Sequence, residues 1–414
     1  SGKFRIRIIR AGGTGQPPPT RFRNHRMAVT FIHTADWQLG KPFGGIDADK
    51  SPLVRQKRID SLTAIANLVR DRNAKFVVVA GDMFDSFHPT KNVVSAACQA
   101  IAAMKVPVYV IPGNHDHGGK GGPFDQDYFR EEAAKLAPNL VVLLESKPVV
   151  RDDCAIFPCP LMHRHETGDP TLWLRNSPNA EEVGDRPRIV LAHGSIQGFG
   201  QQESDTDDEF TAAPNLLNLG MLPGNEYDYL ALGDWHGCRE AGLGGKAWYS
   251  GTHETDRFPR GDDYASGHVL VVKAARRVAP VVEKVATGQS LWKRLSIEIA
   301  DDSTIANIIP QVTDLFPKGF AGHMLHLSLS GPVSLKGEAD LNQVLETLSA
   351  RLLFLKLQNS VSPAPSEEEL AQLTDLSRNP LLGKVAARLR EMETGPDAVK
   401  AKLALRELYR LTLR

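Results

Sequence analysis

The chain has 414 residues, and its 49 Lys+Arg balance 49 Asp+Glu, so the formal net charge is zero. That balance excludes a protein that coats nucleic acid through a basic excess, while a hydrophobic content of 42% excludes a disordered chain and suffices for a sizeable core. The length suits two or three domains, no apolar run approaches the roughly 20 residues of a membrane-spanning helix, and the start of the chain carries no apolar secretory-signal segment.

Residues 1–26 read as a segment apart. They hold Arg5, Arg7, Arg10, Arg21, Arg23 and Arg26, no acid, and a Gly/Pro-rich stretch over 12–19. Met27 is read as the natural start, with 1–26 as an added leader or upstream sequence. A basic, acid-free leader also fits an organellar transit peptide, although this one is short of serine. From Met27 the chain alternates short apolar runs with amphipathic stretches. The runs at 29–33, 76–80, 108–111, 189–192 and 229–232 predict strands, and the spacing at 53–70 and 93–104 predicts helices. Strands alternating with helices indicate βαβ units and a layered α/β domain, closed by further strands at 248–250 and 268–273. This domain is expected to span 27–288.

The texture then changes. Alternation at 295–299 and 324–329 predicts strands, and 305–316 and 341–353 have helical spacing, giving a small α+β domain over 289–365. Residues 366–414 are rich in Leu, Ala, Glu, Lys and Arg and read as two helices, broken near Asn379-Pro380 and Gly395-Pro396. Their apolar positions are Leu370, Leu373 and Leu376, then Leu403, Leu405, Leu408, Leu411 and Leu413. Cys98, Cys154, Cys159 and Cys238 form no CxxC pair and no zinc-ribbon spacing. They read as reduced thiols of a cytoplasmic protein.

Five segments place ligand-type side chains just past predicted strands: Thr34-Ala35-Asp36-Trp37-Gln38, Gly81-Asp82-Met83-Phe84-Asp85, Gly113-Asn114-His115-Asp116, Ala192-His193-Gly194 and Gly233-Asp234-Trp235-His236. In an α/β sheet the carboxyl ends of the strands form one rim, where ligands bind. Each segment has an ordinary explanation alone. Gly-Asp after a strand is usually a turn, a lone histidine is usually a satisfied strand-end residue, and Asp-Trp-His suits a loop with a packed indole. Their joint order at five strand ends is what points to one metal site. Asp, Asn and His suit Mn²⁺, Fe²⁺ or Zn²⁺, and two such ions about 4 Å apart can clamp a phosphoryl group. Asp82, in the middle of the set, is the natural bridge.

The order Asp-x-Gln, Gly-Asp-x-x-Asp, Gly-Asn-His-Asp, His-Gly, Gly-Asp-x-His resembles the calcineurin-like metallophosphoesterases. The flanking words Ile32-His33-Thr34-Ala35-Asp36-Trp37-Gln38-Leu39-Gly40, Gly81-Asp82-Met83-Phe84-Asp85 and Tyr249-Ser250-Gly251 resemble the SbcD-type DNA repair exonucleases. The likeness covers roughly 27–288 and is much weaker beyond. It implies a layered β-sandwich flanked by helices, a small α+β capping domain and C-terminal helices. It also implies a first ion on Asp36, Gln38, Asp82 and His236 and a second on Asp82, Asn114, His193 and Asp234. His115 would contact the scissile phosphate and assist the leaving oxygen, its other reading being a histidine that orients the loop. Asp85 and Asp116 would support the ligands, and His253 and Arg257 would touch nucleic acid.

Two positions depart from the family. Gln38 stands where histidine is usual, and Asp234 replaces the first histidine of Gly-His-x-His. Both changes favour a harder ion, Mn²⁺ first, with Mg²⁺ or Fe²⁺ as alternatives. The implied activity is a 3′-to-5′ DNA exonuclease with some endonuclease activity. The implied partners are DNA, an SbcC-type, SMC-like ATPase and a second copy of this chain, with no membrane. Two competitors remain: a phosphodiesterase or phosphatase for small substrates such as cyclic nucleotides, and a structural subunit whose ligand changes have weakened catalysis. The C-terminal helices either dock on a partner or fold back on the capping domain.

Overall fold

The structure is a computed structural model, and it describes residues 27–176, 180–196, 215–259, 264–363, 367–375 and 380–412. The expected leader, Leu376 and Leu413 lie outside the described residues. Two six-stranded mixed sheets pack face to face. The first runs, edge to edge, Val278–Ala286, His268–Ala275, Ala28–Thr34, Val77–Ala80, Val108–Ile111 and Leu140–Val142. The second runs Arg239–Glu240, Ala247–Tyr249, Tyr229–Gly233, Arg188–His193, Ala155–Cys159 and Val149–Val150.

Alternation within strands builds the layers, because successive side chains point to opposite faces. Phe31, Phe76, Val78, Tyr109 and Ile111 face inward against Ile156, Ile189, Leu191 and Tyr229 of the second sheet. Phe31 stacks on Phe76 at 4.9 Å, with the Tyr229 ring edge-on at 5.6 Å. Losing one such ring from a core costs about 3–5 kcal/mol. Val77, Val79, Val108 and Val110 face outward, under the helices Ser51–Asp71, Lys91–Met104 and Asp127–Leu136. Val77-Val78-Val79-Ala80 is therefore apolar throughout because both of its faces are buried. Shorter elements, among them the 3₁₀ turn Leu172–Asn176, cover the outer face of the second sheet through Leu174, Val183 and Leu219.

A separate parallel sheet of three strands follows, Trp292–Glu298, Met324–Val333 and Phe354–Pro363. The helices Ile308–Leu315 and Leu335–Arg351 cover one of its faces. It meets the sandwich at a small apolar contact of Phe43, Ile46, Val54 and Phe258 with Trp292, Met324 and Leu353. The helix predicted at 341–353 instead ends at Arg351, and its last apolar residues lead into the third strand.

The C-terminal part forms three helices rather than the expected two: Glu367–Thr374, Pro380–Met392 and Ala398–Thr412. Two breaks divide a segment into three. Pro380 opens a helix, where its missing N–H is no loss. The helices bury Leu370, Leu373, Ala386 and Leu405 among themselves. All four cysteines are unpaired and buried, and no helix among the described residues is long and apolar enough to cross a membrane.

Candidate metal centre

The five turns converge on one rim. The first two run side by side, with Asp36 N donating to Gly81 O at 3.1 Å, Gln38 N to Asp82 O at 2.8 Å and Leu39 N to Met83 O at 3.0 Å. The fourth and fifth are joined by Gly194 N to Gly233 O at 3.1 Å. Asp36, Gln38, Asp82 and Asp234 all adopt positive φ, at 52°, 40°, 53° and 105°. Such backbone costs about 1–3 kcal/mol per residue and persists only where the surroundings enforce it. Glycine makes the close approach possible. A Cβ on Gly113 would lie 2.2 Å from Asp82 Oδ1, and one on Gly81, itself at φ +89°, would lie 2.2 Å from His193 Nδ1.

Asp36, Asp82 and His193 form a fully buried group whose ligand atoms lie within 4.8 Å of one another. Asn114 and Asp234 join it: Asn114 Oδ1 is 2.9 Å and Asp234 Oδ1 3.8 Å from His193 Nε2. Burial pushes the Asp36 carboxyl well above its usual range, with Asp82 and Asp234 adding to the shift. Ser195 Oγ donates to Asp234 Oδ2 at 2.6 Å and holds that carboxylate in place.

His193 tests whether a cation fits. Its Nδ1 lies 2.8 Å from Ala80 O and its Nε2 2.9 Å from Asn114 Oδ1, so both ring nitrogens face oxygens. A neutral imidazole has one proton and can satisfy only one of them. Burial alone would lower its pKa, but the carboxylates of Asp82, Asp36 and Asp234 outweigh that and raise it to about 9. A divalent cation in place of the Nε2 proton meets the same oxygens, so the donor set fits. The raised pKa has a testable consequence, because a ligating nitrogen must be deprotonated. Below a pKa of about 9 the proton competes with the metal. Affinity for Mn²⁺ is therefore expected to rise about tenfold per pH unit through neutral pH and to level off above that pKa. Calorimetry in two buffers of different ionisation heat should show proton release, and an affinity unchanged across neutral pH would contradict the assignment.

Gln38 and His236 form the opposite flank. Gln38 Nε2 lies 3.2 Å from His236 Nε2, and His236 Nδ1 lies 2.8 Å from Asp256 Oδ2. Burial lowers the His236 pKa to about 4, against the pull of Asp256, so the ring is neutral. Arg257 reaches 3.1 Å from the same Nδ1. It cannot donate there while that nitrogen gives its proton to Asp256, so its charge is directed to Asp256, at 3.6 Å.

His115 stands at the rim. Its Nδ1 meets Asp85 O at 2.9 Å, which leaves Nε2 directed at the site, 3.9 Å from Asp82 Oδ2. Asp85 thus supports His115 through its backbone. Asp116 accepts from Gly113 N at 2.7 Å and from Phe84 N at 3.1 Å, tying two ligand turns together. Burial and Asp82 raise its pKa to about 7.

His253 does not face a ligand, contrary to the expectation that it touches nucleic acid. It is fully buried, with Nε2 2.8 Å from Arg58 O, and burial lowers its pKa to about 3. Its place in the sequence after the last motif suggested a surface that the packing removes.

Sequence reasoning missed Lys41, Asp256 and Arg58. Arg58 is buried and donates to Asp36 O, Trp37 O, Glu254 O and Thr252 Oγ1, clamping the first ligand turn to the loop after the last. Its signal was present: it interrupts the helical apolar stripe Val54–Leu62 with a charge.

A family profile described as calcineurin-like phosphoesterase matches residues 29–238. Among solved structures, a protein of Thermus thermophilus is similar at 12% identity over 63% of this chain and 99% of its own, with a TM-score of 0.38. A dimetal phosphatase from Danio rerio is similar at 11% identity over 61% and 98%, with a TM-score of 0.37. The profile match spans more than half of the chain and takes in all five turns that meet at the buried Asp36–Asp82–His193 group. The chain therefore belongs to the calcineurin-like phosphoesterase family.

Proposed function

We propose that this phosphoesterase is a DNA nuclease, a 3′-to-5′ exonuclease with some endonuclease activity, working on Mn²⁺ in the cytoplasm. Asp82, Asn114, His193 and Asp234 would hold one ion, joined by Asp36, which the resemblance gave to the other ion but whose ligand atom lies within 4.8 Å of those of Asp82 and His193, and Gln38 and His236 flank the position of a second. Bound there, the ions would supply charge neutralisation at the phosphoryl oxygens and activation of the attacking water. Four carboxylate or amide oxygens around one imidazole favour Mn²⁺ over Zn²⁺. The chain's own residues supply the rest. Asp82 and Asp234 set the negative charge that retains the ions, and His115 presents Nε2 to the leaving oxygen.

The observation that carries the DNA reading is the uncovered face of the three-stranded sheet. Parallel sheets normally have both faces covered. The first row of this face, Trp292, Met324 and Phe354, is covered by the sandwich beside Phe258, and the face opens beyond it. It continues through a register row of Arg294, His326 and Lys356 to rows of Ser296, Ser328 and Gln358, then Glu298, Ser330 and Ser360. Arg294 Nε donates to Pro259 O at 2.6 Å, and Phe258 packs on His326 at 5.6 Å. The polar face thus adjoins the loop that places Asp256 and Arg257 next to His236. A strand's phosphates and sugars can follow such a face, and a cyclic nucleotide has no use for it. Catalytic efficiency on oligonucleotides is therefore expected to exceed that on cyclic nucleotides by orders of magnitude in Mn²⁺. The reverse preference would replace this reading with the small-substrate one.

The C-terminal helices dock on an SbcC-type ATPase. Leu381, Val385, Val399, Leu403 and Leu411 remain exposed after the helices have packed on one another, and such a surface suits a partner helix. Deleting 367–414 should leave cleavage of short oligonucleotides intact and abolish co-purification with the ATPase. Undiminished co-purification would refute the docking role.

A further inference from the structure

Lys41 lies three residues beyond Gln38, in a loop whose neighbours are the metal-binding turns. Its Nζ donates to Gln38 Oε1 at 2.9 Å and to Asp256 Oδ2 at 2.7 Å. An ammonium has donors and no acceptor. The contact therefore fixes the Gln38 amide with its oxygen toward Lys41 and its NH₂ toward His236 Nε2, 3.2 Å away. His236 Nδ1 donates to Asp256 at 2.8 Å, which leaves Nε2 as the ring's lone-pair nitrogen. That lone pair accepts from the Gln38 amide. Both atoms that would bind an ion on this flank, Gln38 Oε1 and His236 Nε2, are engaged inside the protein, and a cation already stands beside them. On the other flank, Asp36, Asp82 and His193 bring two buried carboxylates and an imidazole within 4.8 Å of one another, and Asp234 adds a third carboxylate 3.8 Å from His193 Nε2, an excess of negative charge that a cation offsets.

We propose that the two metal positions are unequal and fill in order, with Lys41 as the latch on the second. The Asp36–Asp82–Asn114–His193–Asp234 position holds a resident ion. The Gln38–His236 position is closed by Lys41 and takes an ion only when the Lys41 ammonium leaves and the Gln38 amide turns its oxygen inward. The Lys41 side chain is 23% exposed at the edge of the site, so solvent is open to it, and Asp256 keeps His236 and Arg257 as partners when Lys41 moves. Like charge makes the exclusion mutual: an ion on this flank expels Lys41, and Lys41 weakens the ion. An incoming phosphodiester offers the ammonium another anion.

The inference rests on the metal-centre reading above, and Mn²⁺ titration of the metal-free full chain separates the two. Calorimetry gives stoichiometry, and electron paramagnetic resonance detects the coupling of paired Mn²⁺ ions. Wild type is expected to bind one tight equivalent and a second at least about tenfold weaker. Lys41→Met should tighten the second equivalent by about tenfold or more without changing the first. Gln38→His, which removes one of the two Lys41 acceptors, leaves the Asp256 contact and restores an imidazole, should do the same by an independent route. Two equal equivalents in wild type, or a second equivalent unmoved in both variants, would overturn the latch. No tight equivalent in wild type would sink the metal-centre reading itself.

Discussion

Asp82→Ala is expected to strip the bound metal and to lower phosphodiester hydrolysis by at least about 10⁴-fold. Asp82 is buried at the centre of the cluster, with Oδ1 3.7 Å from His193 Nε2 and 2.9 Å from the His115 amide. It supplies one of the two carboxylates of the buried Asp36–Asp82–His193 group, so its loss removes ligand and charge together. Loss of folding is not the expected cause. Asp82 raises the pKa values of Asp36 and Asp116 by repulsion, so its removal relieves like-charge crowding in the metal-free protein. Metal content by mass spectrometry, turnover and a thermal melt of the chelated protein separate these effects. A variant that retains both metal and turnover would show that the ions bind elsewhere.

His115→Ala should slow cleavage by roughly 10²–10⁴-fold, the range typical of losing a proton-transfer group, with metal content unchanged. The bond from Nδ1 to Asp85 O fixes the tautomer and leaves Nε2 directed into the site from a side chain that is one-third exposed. As the imidazolium, the ring keeps its Nδ1–H bond to Asp85 O and carries a second proton on Nε2, placed beside the metal cluster to protonate a leaving alkoxide. The loss should therefore shrink with a p-nitrophenolate leaving group, which departs without a proton. A merely structural histidine would cost the same on both substrates. Loss of metal in place of rate would make His115 a ligand.

The ligand turns were legible because each is a local event: a strand end and a donor side chain within one short word, with a glycine in four of the five. The links among them were not. Lys41 and Asp256 are 215 residues apart in sequence, and no periodicity connects them. Gln38 read as a weakened metal ligand because its amide orientation depends on Lys41. Much of the second sheet was also obscure. In the strand Ala155–Cys159, Pro158 argues against a central position, yet the strand pairs with Arg188–His193 in register. The strand Phe354–Pro363 was lost behind a helical pattern that continued two residues past Arg351. His253 shows the opposite error, since a histidine near a motif in sequence became part of the core.

The central claim is that Asp36, Asp82 and His193 hold the metal that makes this chain a DNA-cutting phosphoesterase. End-labelled single- and double-stranded DNA incubated with the chelated protein tests it most directly, with each divalent ion then added in turn. The account predicts no cleavage until metal is restored, the strongest recovery with Mn²⁺, and labelled products that shorten progressively from the 3′ end. Full cleavage in excess chelator, or none with any divalent ion, would contradict it.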